Sequence, residues 1–326
     1  MLFNLIFMYI YIYMTSQIMP SLGIILSGFL NSLYPIFIRN NDLDLQFKIL
    51  LRFVSFFIIS YIYLYVKWKT SVGKEKEKYE DYFKKIFSPN ILTVSTLNYL
   101  YIAGIIVAMQ FAPQYITFPL FMCWTIVLVL MEKFYFKAPV TNKQVMYVLL
   151  GFAGIVVMNI GEFLNAKSIK YNKIFLVVAG FAAVAHGIFV PFFKKISETT
   201  NDPIIDTFYL TGFASILSTI GVLIQHFATK HKIKIAGKWD QIIKLVMFYI
   251  IVEGIANYTY YYGLSKLPAI NAAVLYNSMV VFGLLIGFFY FKERPTKITI
   301  SGVLIIIASI IGLQINGNTS HAVKYP

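Results

Sequence analysis

Polar side chains inside long apolar stretches are the residues of this sequence best suited to chemistry. Glu253 lies in an apolar run, and Asn257 follows it by four residues, which places both on one face of a helix. An ionisable group in hydrocarbon is costly unless it faces a cavity or a partner. Glu253 is therefore expected to bind a cationic group or to take up a proton. The alternative is a structural ion pair between Glu253 and a buried base.

His186 is a second titratable side chain within an apolar run. An internal repeat, described below, aligns it with Tyr34, which precedes Pro35. Proline removes a helical hydrogen bond and favours a kink. Interrupted helices at matching places in two halves of a membrane protein often mark a binding site. A lone histidine can equally be a hydrogen-bonded core residue, and this alternative stays open.

Amides and aromatic rings complete the set of candidates. Asn98 matches Asn257 in the repeat, and the two could donate hydrogen bonds to a ligand or hold helices together. The predicted binding or coupling residues are Glu253, Asn257, His186, Asn98, Tyr34, Tyr260, Asn277 and Trp124.

The composition places these residues in a membrane protein. The chain of 326 residues is 59% hydrophobic and 13% charged, whereas soluble domains carry about 25% charged residues. The net charge of +14 sits in short segments between apolar runs, which favours loops at lipid headgroups over a nucleic-acid-binding surface. Cys123 is the single cysteine. The sequence has no P-loop and no cysteine or histidine cluster, so no cofactor, metal site or ATP-driven activity is expected.

Ten apolar segments predict an all-α membrane protein with ten transmembrane helices. They cover residues 18–38, 46–66, 91–111, 114–131, 144–162, 173–193, 204–226, 243–263, 269–291 and 298–315. Residues 1–17 form an apolar extension, and the charged stretch 67–85 predicts a solvated helix or coil. The polar tail 316–326 is expected to be disordered.

The two halves of the chain share short motifs in the same order. Asn98–Gly104 and Asn257–Gly263 both read N-Y-x-Y-x-x-G, at an offset of 159 residues (257 − 98). Phe134–Lys137 returns as Phe289–Lys292, at an offset of 155 (289 − 134). Two further glycine-containing matches have similar offsets. Shared order at nearly one offset predicts a tandem repeat of two membrane halves.

Five spans in each half predict that the repeats, residues 18–165 and 166–315, enter the membrane from opposite sides. With the N-terminus in the cytoplasm, 14 Lys and Arg face the cytoplasm and 13 face the other side, so the positive-inside rule hardly discriminates. The dense basic loop at 67–85 comes early, which favours both termini in the cytoplasm. The host membrane is expected to be the plasma membrane or an endomembrane.

The stretch Ala269 to Gly312 resembles the drug/metabolite transporter superfamily, in particular its EamA-type repeat. A helix with small residues is followed by Phe291-Lys292-Glu293-Arg294 and then by Gly302. The first half departs from this pattern, because Ala138-Pro139 follow Phe136-Lys137. As an architecture, the ten-helix arrangement also resembles nucleotide-sugar transporters.

The resemblance implies a central cavity lined by helices one, three, four, six, eight and nine and reached alternately from each side. It implies a secondary active transporter for a small organic metabolite, either proton-coupled or an exchanger, and not an enzyme. The expected partners are that small-molecule substrate and the lipid bilayer, and a homodimer stays open.

Alternatives to this interpretation differ in the chemistry they need. A nucleotide-sugar or sugar-phosphate antiporter needs Arg or Lys clamps, and the spans offer only Arg52 and Lys266. An amino acid, amine or nucleobase-like solute is therefore favoured. Arg52 itself lies near the end of its run, so an anchor at the membrane surface is expected. An intramembrane enzyme would need His186 and Glu253 to meet, and a non-transporting scaffold is the remaining class.

Overall fold

The computed structural model describes residues 18–112, 114–165, 174–228, 233, 235, 237–292 and 294–316. Within these ranges every regular element is a helix. The predicted extension 1–17 lies outside the described residues, as do residues 317–326 of the predicted tail and Glu293 of the EamA-type motif.

The helices follow one another through short connections. In chain order they are α1 (Ile18–Arg39), α2 (Leu45–Thr70), α3 (Lys74–Lys85), α4 (Pro89–Phe111), α5 (Gln114–Phe121), α6 (Trp124–Leu130), α7 (Asn142–Asn165), α8 (Ile174–Thr200), α9 (Pro203–Ala228), α10 (Trp239–Met247), α11 (Gly254–Lys266), α12 (Ala269–Tyr276), α13 (Ser278–Phe289) and α14 (Lys297–Asn316). A π-helical turn extends α6 over Met131–Tyr135, and another joins α10 to α11 over Phe248–Glu253.

Seven of the described helical stretches are long and apolar enough to cross a membrane. They are Ile18–Arg39, Leu45–Thr70, Pro89–Phe111, Val177–Thr200, Pro203–Phe227, Trp239–Lys266 and Ala269–Phe289. Asn142–Met158 and Lys297–Gly312 are shorter apolar helices. Each predicted segment starts within about four residues of an observed helix start, because long apolar runs locate membrane helices well. The predicted all-α membrane class is confirmed.

The charged stretch after α2 is helical and packs against the membrane helices. α3 carries charges on one side and buries Tyr82, which lies in a cluster with Ile86 and Phe208. The predicted solvated segment therefore has one buried face.

Two of the predicted spans are broken near their centres. Met122 and Cys123 separate α5 from α6, and Asn277 separates α12 from α13. Met122 and Asn277 are 155 residues apart. Lys137 and Lys292, also 155 apart, both adopt the left-handed conformation, with φ of 51° and 57°, which is uncommon for a residue other than glycine. The same backbone irregularities therefore recur at one spacing.

Close helix crossings recur at that spacing too. A Cβ atom at Gly104 of α4 would lie 3.5 Å from the Val178 carbonyl oxygen of α8, and one at Gly23 of α1 would lie 3.2 Å from the Thr259 oxygen of α11. Thr259 follows Gly104 by 155 residues, and Val178 follows Gly23 by the same number. The contacts thus place the N-Y-x-Y-x-x-G match, at an offset of 159, one helical turn out of register.

The structural register corrects two predicted pairings. At a spacing of 155 residues, Asn98 corresponds to Glu253 and not to Asn257. His186 corresponds to Asn31 and not to Tyr34. The error arose because aromatic and asparagine residues are frequent in both halves, so a motif match one turn away was as good as the true one.

Candidate functional site

A closed cavity, called here the central cavity, lies among the helices. About 40 Å³ of it is open to the centres of water-sized molecules, which is room for about three waters. Its polar lining consists of Asn31, Tyr34, Arg52, Tyr101, His186, Glu253, Asn257, Tyr260, Tyr261 and Tyr276. These residues, with Phe121 of α5, come from the six spans that the resemblance implies and from α2.

Arg52 and Glu253 form a buried ion pair in the wall of this cavity. Two guanidinium nitrogens, Nε and Nη2, donate to Glu253 Oε1, and each side chain is only 2% exposed. The guanidinium carbon also lies 5.0 Å from the ring centre of Phe53 and 5.5 Å from that of Phe56. The pair joins α2 to the start of α11, between residues 201 positions apart.

This ion pair corrects one prediction and answers another. Arg52 does not reach the membrane surface, because its guanidinium is enclosed by Glu253 and aromatic rings. The alternative considered for Glu253, a buried basic partner, is the one observed. Removing one member of a buried pair typically costs about 3–5 kcal/mol, because the other charge is left uncompensated. The pair is therefore both a structural link and a charged feature of the cavity.

Hydrogen-bonding atoms without a partner concentrate on the central cavity. In the described part of the chain, twelve buried side-chain nitrogen and oxygen atoms make no hydrogen bond within the protein, and six belong to residues lining the cavity. The six atoms are Tyr34 Oη, Arg52 Nη1, both ring nitrogens of His186, Glu253 Oε2 and Tyr260 Oη. Buried polar atoms are normally hydrogen-bonded. The cavity therefore has unused capacity on both donors and acceptors.

Five of the eight predicted site residues line the cavity together: Glu253, Asn257, His186, Tyr34 and Tyr260. Trp124 stands behind them, with its ring edge-on to His186 and the two ring centres 4.4 Å apart. Trp124 is fully buried and is not part of the lining.

Asn98 and Asn277 lie away from the cavity lining. Asn98 Nδ2 donates to the Leu210 carbonyl oxygen of α9 at 3.1 Å, beside a hydrogen bond of 2.9 Å from Ser95 to the same oxygen. Asn98 thus holds α4 to α9, which is the helix-linking role considered for it. Asn277 occupies the break between α12 and α13.

The sequence reasoning missed four residues of the lining. Arg52 carried a signal, because it is a lone arginine within an apolar segment. Tyr101, Tyr261 and Tyr276 carried none, because the chain has 24 tyrosines. Asn31, a weaker candidate, donates to Tyr276 Oη at 3.0 Å. Position in the fold, and not residue type, distinguishes these tyrosines.

His186 sits among aromatic rings. Its ring centre lies 4.3 Å from that of Tyr101 and 5.3 Å from that of Phe121. Neither of its nitrogens hydrogen-bonds to Glu253 or to any other described group. The acid–base pair that an intramembrane enzyme would need is therefore not formed in this structure.

Comparison with known proteins places this site in a family context. Residues 173–314 match the model of the EamA-like transporter family. The second half of this chain is EamA-like. The match confirms the resemblance to the drug/metabolite transporter superfamily that the sequence indicated. Together with the apolar helices, it identifies an integral, multi-pass membrane protein of a transporter family and not an enzyme family.

Solved structures agree on the fold. A crystal structure of a protein that shares 15% sequence identity aligns with a TM-score of 0.62, over 92% of this chain and 98% of that chain. It is one of 29 chains that match. At this identity the likeness concerns the fold alone. No curated protein matches the chain.

Proposed function

We propose that this protein is a secondary active transporter that moves a small organic solute across a membrane by alternating access. The observation that carries the proposal is the closed polar cavity, whose unpartnered atoms come from both halves of an EamA-like chain. Tyr34 and Arg52 precede residue 166, and His186, Glu253 and Tyr260 follow it. A solute bound between the halves would contact both.

Ten transmembrane helices in two inverted repeats, residues 18–165 and 166–315, form the framework of the proposal. The seven long helices, the two shorter ones and the broken stretch from α5 to α6 would supply the ten spans. The irregularities and crossings that recur at 155 residues support the repeat. Both termini would then lie on one face, which we assign to the cytoplasm.

The charges of the cavity favour a solute of zero net charge. Arg52 and Glu253 neutralise each other, and the lining that the structure describes has no further Asp, Glu, Lys or Arg. A phosphorylated solute would bring about two negative charges to one arginine that is already paired. An amino acid, a nucleobase or a similar solute with both donors and acceptors fits better than a nucleotide sugar.

Glu253 is the group that we assign to coupling. Its Oε2 atom has no hydrogen-bond partner, and the side chains of Tyr34 and Asn257 face the carboxylate. When the cavity opens and a solute competes for Arg52, the carboxylate would need a proton or a cationic group of the solute in its place. Proton uptake and solute binding would then be linked at one site.

A counterflow assay tests the function and the solute class together. Purified protein in liposomes would be loaded with single members of a panel that includes zwitterionic, neutral, cationic and phosphorylated solutes. We expect saturable exchange for at least one solute of zero net charge. Saturable exchange of phosphorylated solutes alone would overturn the assigned class. The absence of exchange for every member of the panel, with monodisperse protein, would overturn the transporter function.

A further inference from the structure

A basic side chain at the end of α1 holds the turn between α4 and α5. Arg39 Nε donates to the Met109 carbonyl oxygen at 2.8 Å, and its Nη2 donates to the Ala112 oxygen at 2.5 Å. Met109 also lines the central cavity. The guanidinium therefore ties the first helix to the last turn of a helix that forms the cavity wall.

The second half contains the same device. Lys194 of α8 is 3% exposed, and its Nζ donates to the carbonyl oxygens of Leu264 and Leu267, at 2.8 Å each. These oxygens belong to the turn between α11 and α12, and α11 carries Tyr260 and Tyr261 of the cavity. Lys194 also pairs with Glu198 at 2.8 Å.

Every member of the two devices corresponds at the repeat spacing (194 − 39, 264 − 109 and 267 − 112 each give 155). In both halves, the basic residue and its acceptors are 70 and 73 residues apart along the chain. Basic residues commonly satisfy the last carbonyls of their own helix. Arg39 and Lys194 instead reach a different helix, which makes each a link between elements that can separate.

The two links lie at opposite ends of the cavity. Arg39 contacts the last turn of α4, near Met109. Lys195, the neighbour of Lys194, lines a groove with Asn90 and Ile91 of the first turn of α4. The two ends of this helix of 23 residues are about 34 Å apart at 1.5 Å per residue.

The Arg39 end is closed more fully than the Lys194 end. The Arg39 guanidinium carbon lies 4.9 Å from the ring centre of Phe291, and Asn40 donates to Tyr290 Oη at 2.8 Å. Phe37 and Phe248 stack with their ring centres 4.0 Å apart.

The residues 155 positions away from these contacts line an open groove at the other end. Phe136 and Tyr135 correspond to Phe291 and Tyr290, and Phe192 corresponds to Phe37. All three line the groove, which has a volume of about 830 Å³. The same residue positions thus shut one end and leave space at the other.

We propose that Arg39 and Lys194 are matched latches, each of which holds one end of the cavity shut. Alternating access then requires the latches to release in turn, and the Lys194 latch releases more readily, because fewer ring contacts reinforce it. This inference rests on the proposed function, but its test needs no solute.

Side-specific cysteine labelling tests the latches. In a Cys123→Ser background, Ile105→Cys places one thiol in the cavity wall, and a membrane-impermeant thiol reagent is added to either face of proteoliposomes of known orientation. We expect Arg39→Gln to speed labelling from the Arg39 face by about tenfold, and Lys194→Gln to do so from the opposite face, because each loses charge-assisted hydrogen bonds of the closed state.

Charge-preserving variants and an exposed lysine serve as controls. Arg39→Lys and Lys194→Arg should label at nearly the wild-type rates, and Lys69→Gln, the same change at an exposed position, should not alter them. The proposal is overturned if the two glutamine variants leave labelling unchanged, speed it from the same face, or speed it equally from both faces. Because no transport is measured, failure here leaves the counterflow result to decide the function separately.

Discussion

At the scale of single residues, the ion pair explains how two charges can lie within apolar helices. Each charge alone would be costly in a medium without water, and pairing cancels most of the net charge. Arginine cannot lose its proton in proteins, whereas a carboxylate can be neutralised by gaining one. The two members of the pair are therefore not equivalent when one of them is removed.

This asymmetry predicts that Glu253→Gln destabilises the protein more than Arg52→Gln. Glu253→Gln leaves a permanent buried charge, and we expect a loss of about 3–5 kcal/mol in the free energy of unfolding. The loss in Arg52→Gln should be smaller and should shrink as the pH falls, because protonation neutralises the remaining carboxylate. Unfolding of each variant in detergent at several pH values measures both effects. Equal, pH-independent losses would contradict the expectation.

The double variant provides the matching control. Arg52→Gln/Glu253→Gln leaves no buried charge at this place, so its loss of stability should be smaller than the sum of the two single losses. Additive losses would mean that the side chains contribute independently and that the pair is not formed.

At the scale of helices, close crossings set how the outer pair of helices packs. A Cβ atom at Gly302 of α14 would lie 2.5 Å from the Gly154 carbonyl oxygen of α7, and one at Gly154 would lie 2.6 Å from the Gly302 oxygen. Only glycine allows the two backbones to approach so closely, as at other membrane helix interfaces. In contrast, a Cβ atom at Gly180 of α8 would meet nothing within 4 Å.

Alanine at these two glycines should therefore have opposite effects. Gly302→Ala is expected to cost about 1–3 kcal/mol, because a backbone must move to admit the methyl group. Gly180→Ala should be neutral or stabilising by up to about 1 kcal/mol through its higher helix propensity. Thermal unfolding of both variants in the same detergent compares them. A Gly302→Ala protein as stable as Gly180→Ala would show that the α7–α14 crossing is looser than described.

The helices also show which features the sequence could predict. Hydropathy located the helix starts, and Pro35 marked a real interruption, since a turn at Leu33 precedes the helix that begins with Tyr34. The breaks at Met122 and Asn277 were not predictable, because neither position carries proline or glycine. Pro191, conversely, lies inside a continuous α8. Local residue types report local strain, while these breaks depend on packing between helices.

At the scale of the whole molecule, the cavity depends on contacts that no local pattern encodes. Arg52 meets Glu253 across 201 residues and Asn31 meets Tyr276 across 245. The sequence identified Glu253 because a lone acid in an apolar run is unusual. It assigned Arg52 to the surface because hydropathy gives depth only approximately and says nothing of partners. The repeat could be detected from motifs, but its register required the three-dimensional contacts.

The account's central claim is that the central cavity is the transport site, and Tyr260→Phe tests it most directly. Tyr260 and Tyr209 both carry buried hydroxyls without a hydrogen-bond partner, but only Tyr260 lines the central cavity. Neither substitution to phenylalanine removes a hydrogen bond within the protein, so both variants should remain as stable as the wild type. The measurement is the KM for exchange in liposomes of the solute identified by counterflow. We predict that Tyr260→Phe raises this KM by about threefold to tenfold, as expected for one lost hydrogen bond to the solute, while Tyr209→Phe leaves it unchanged. Wild-type KM values in both variants would contradict the claim.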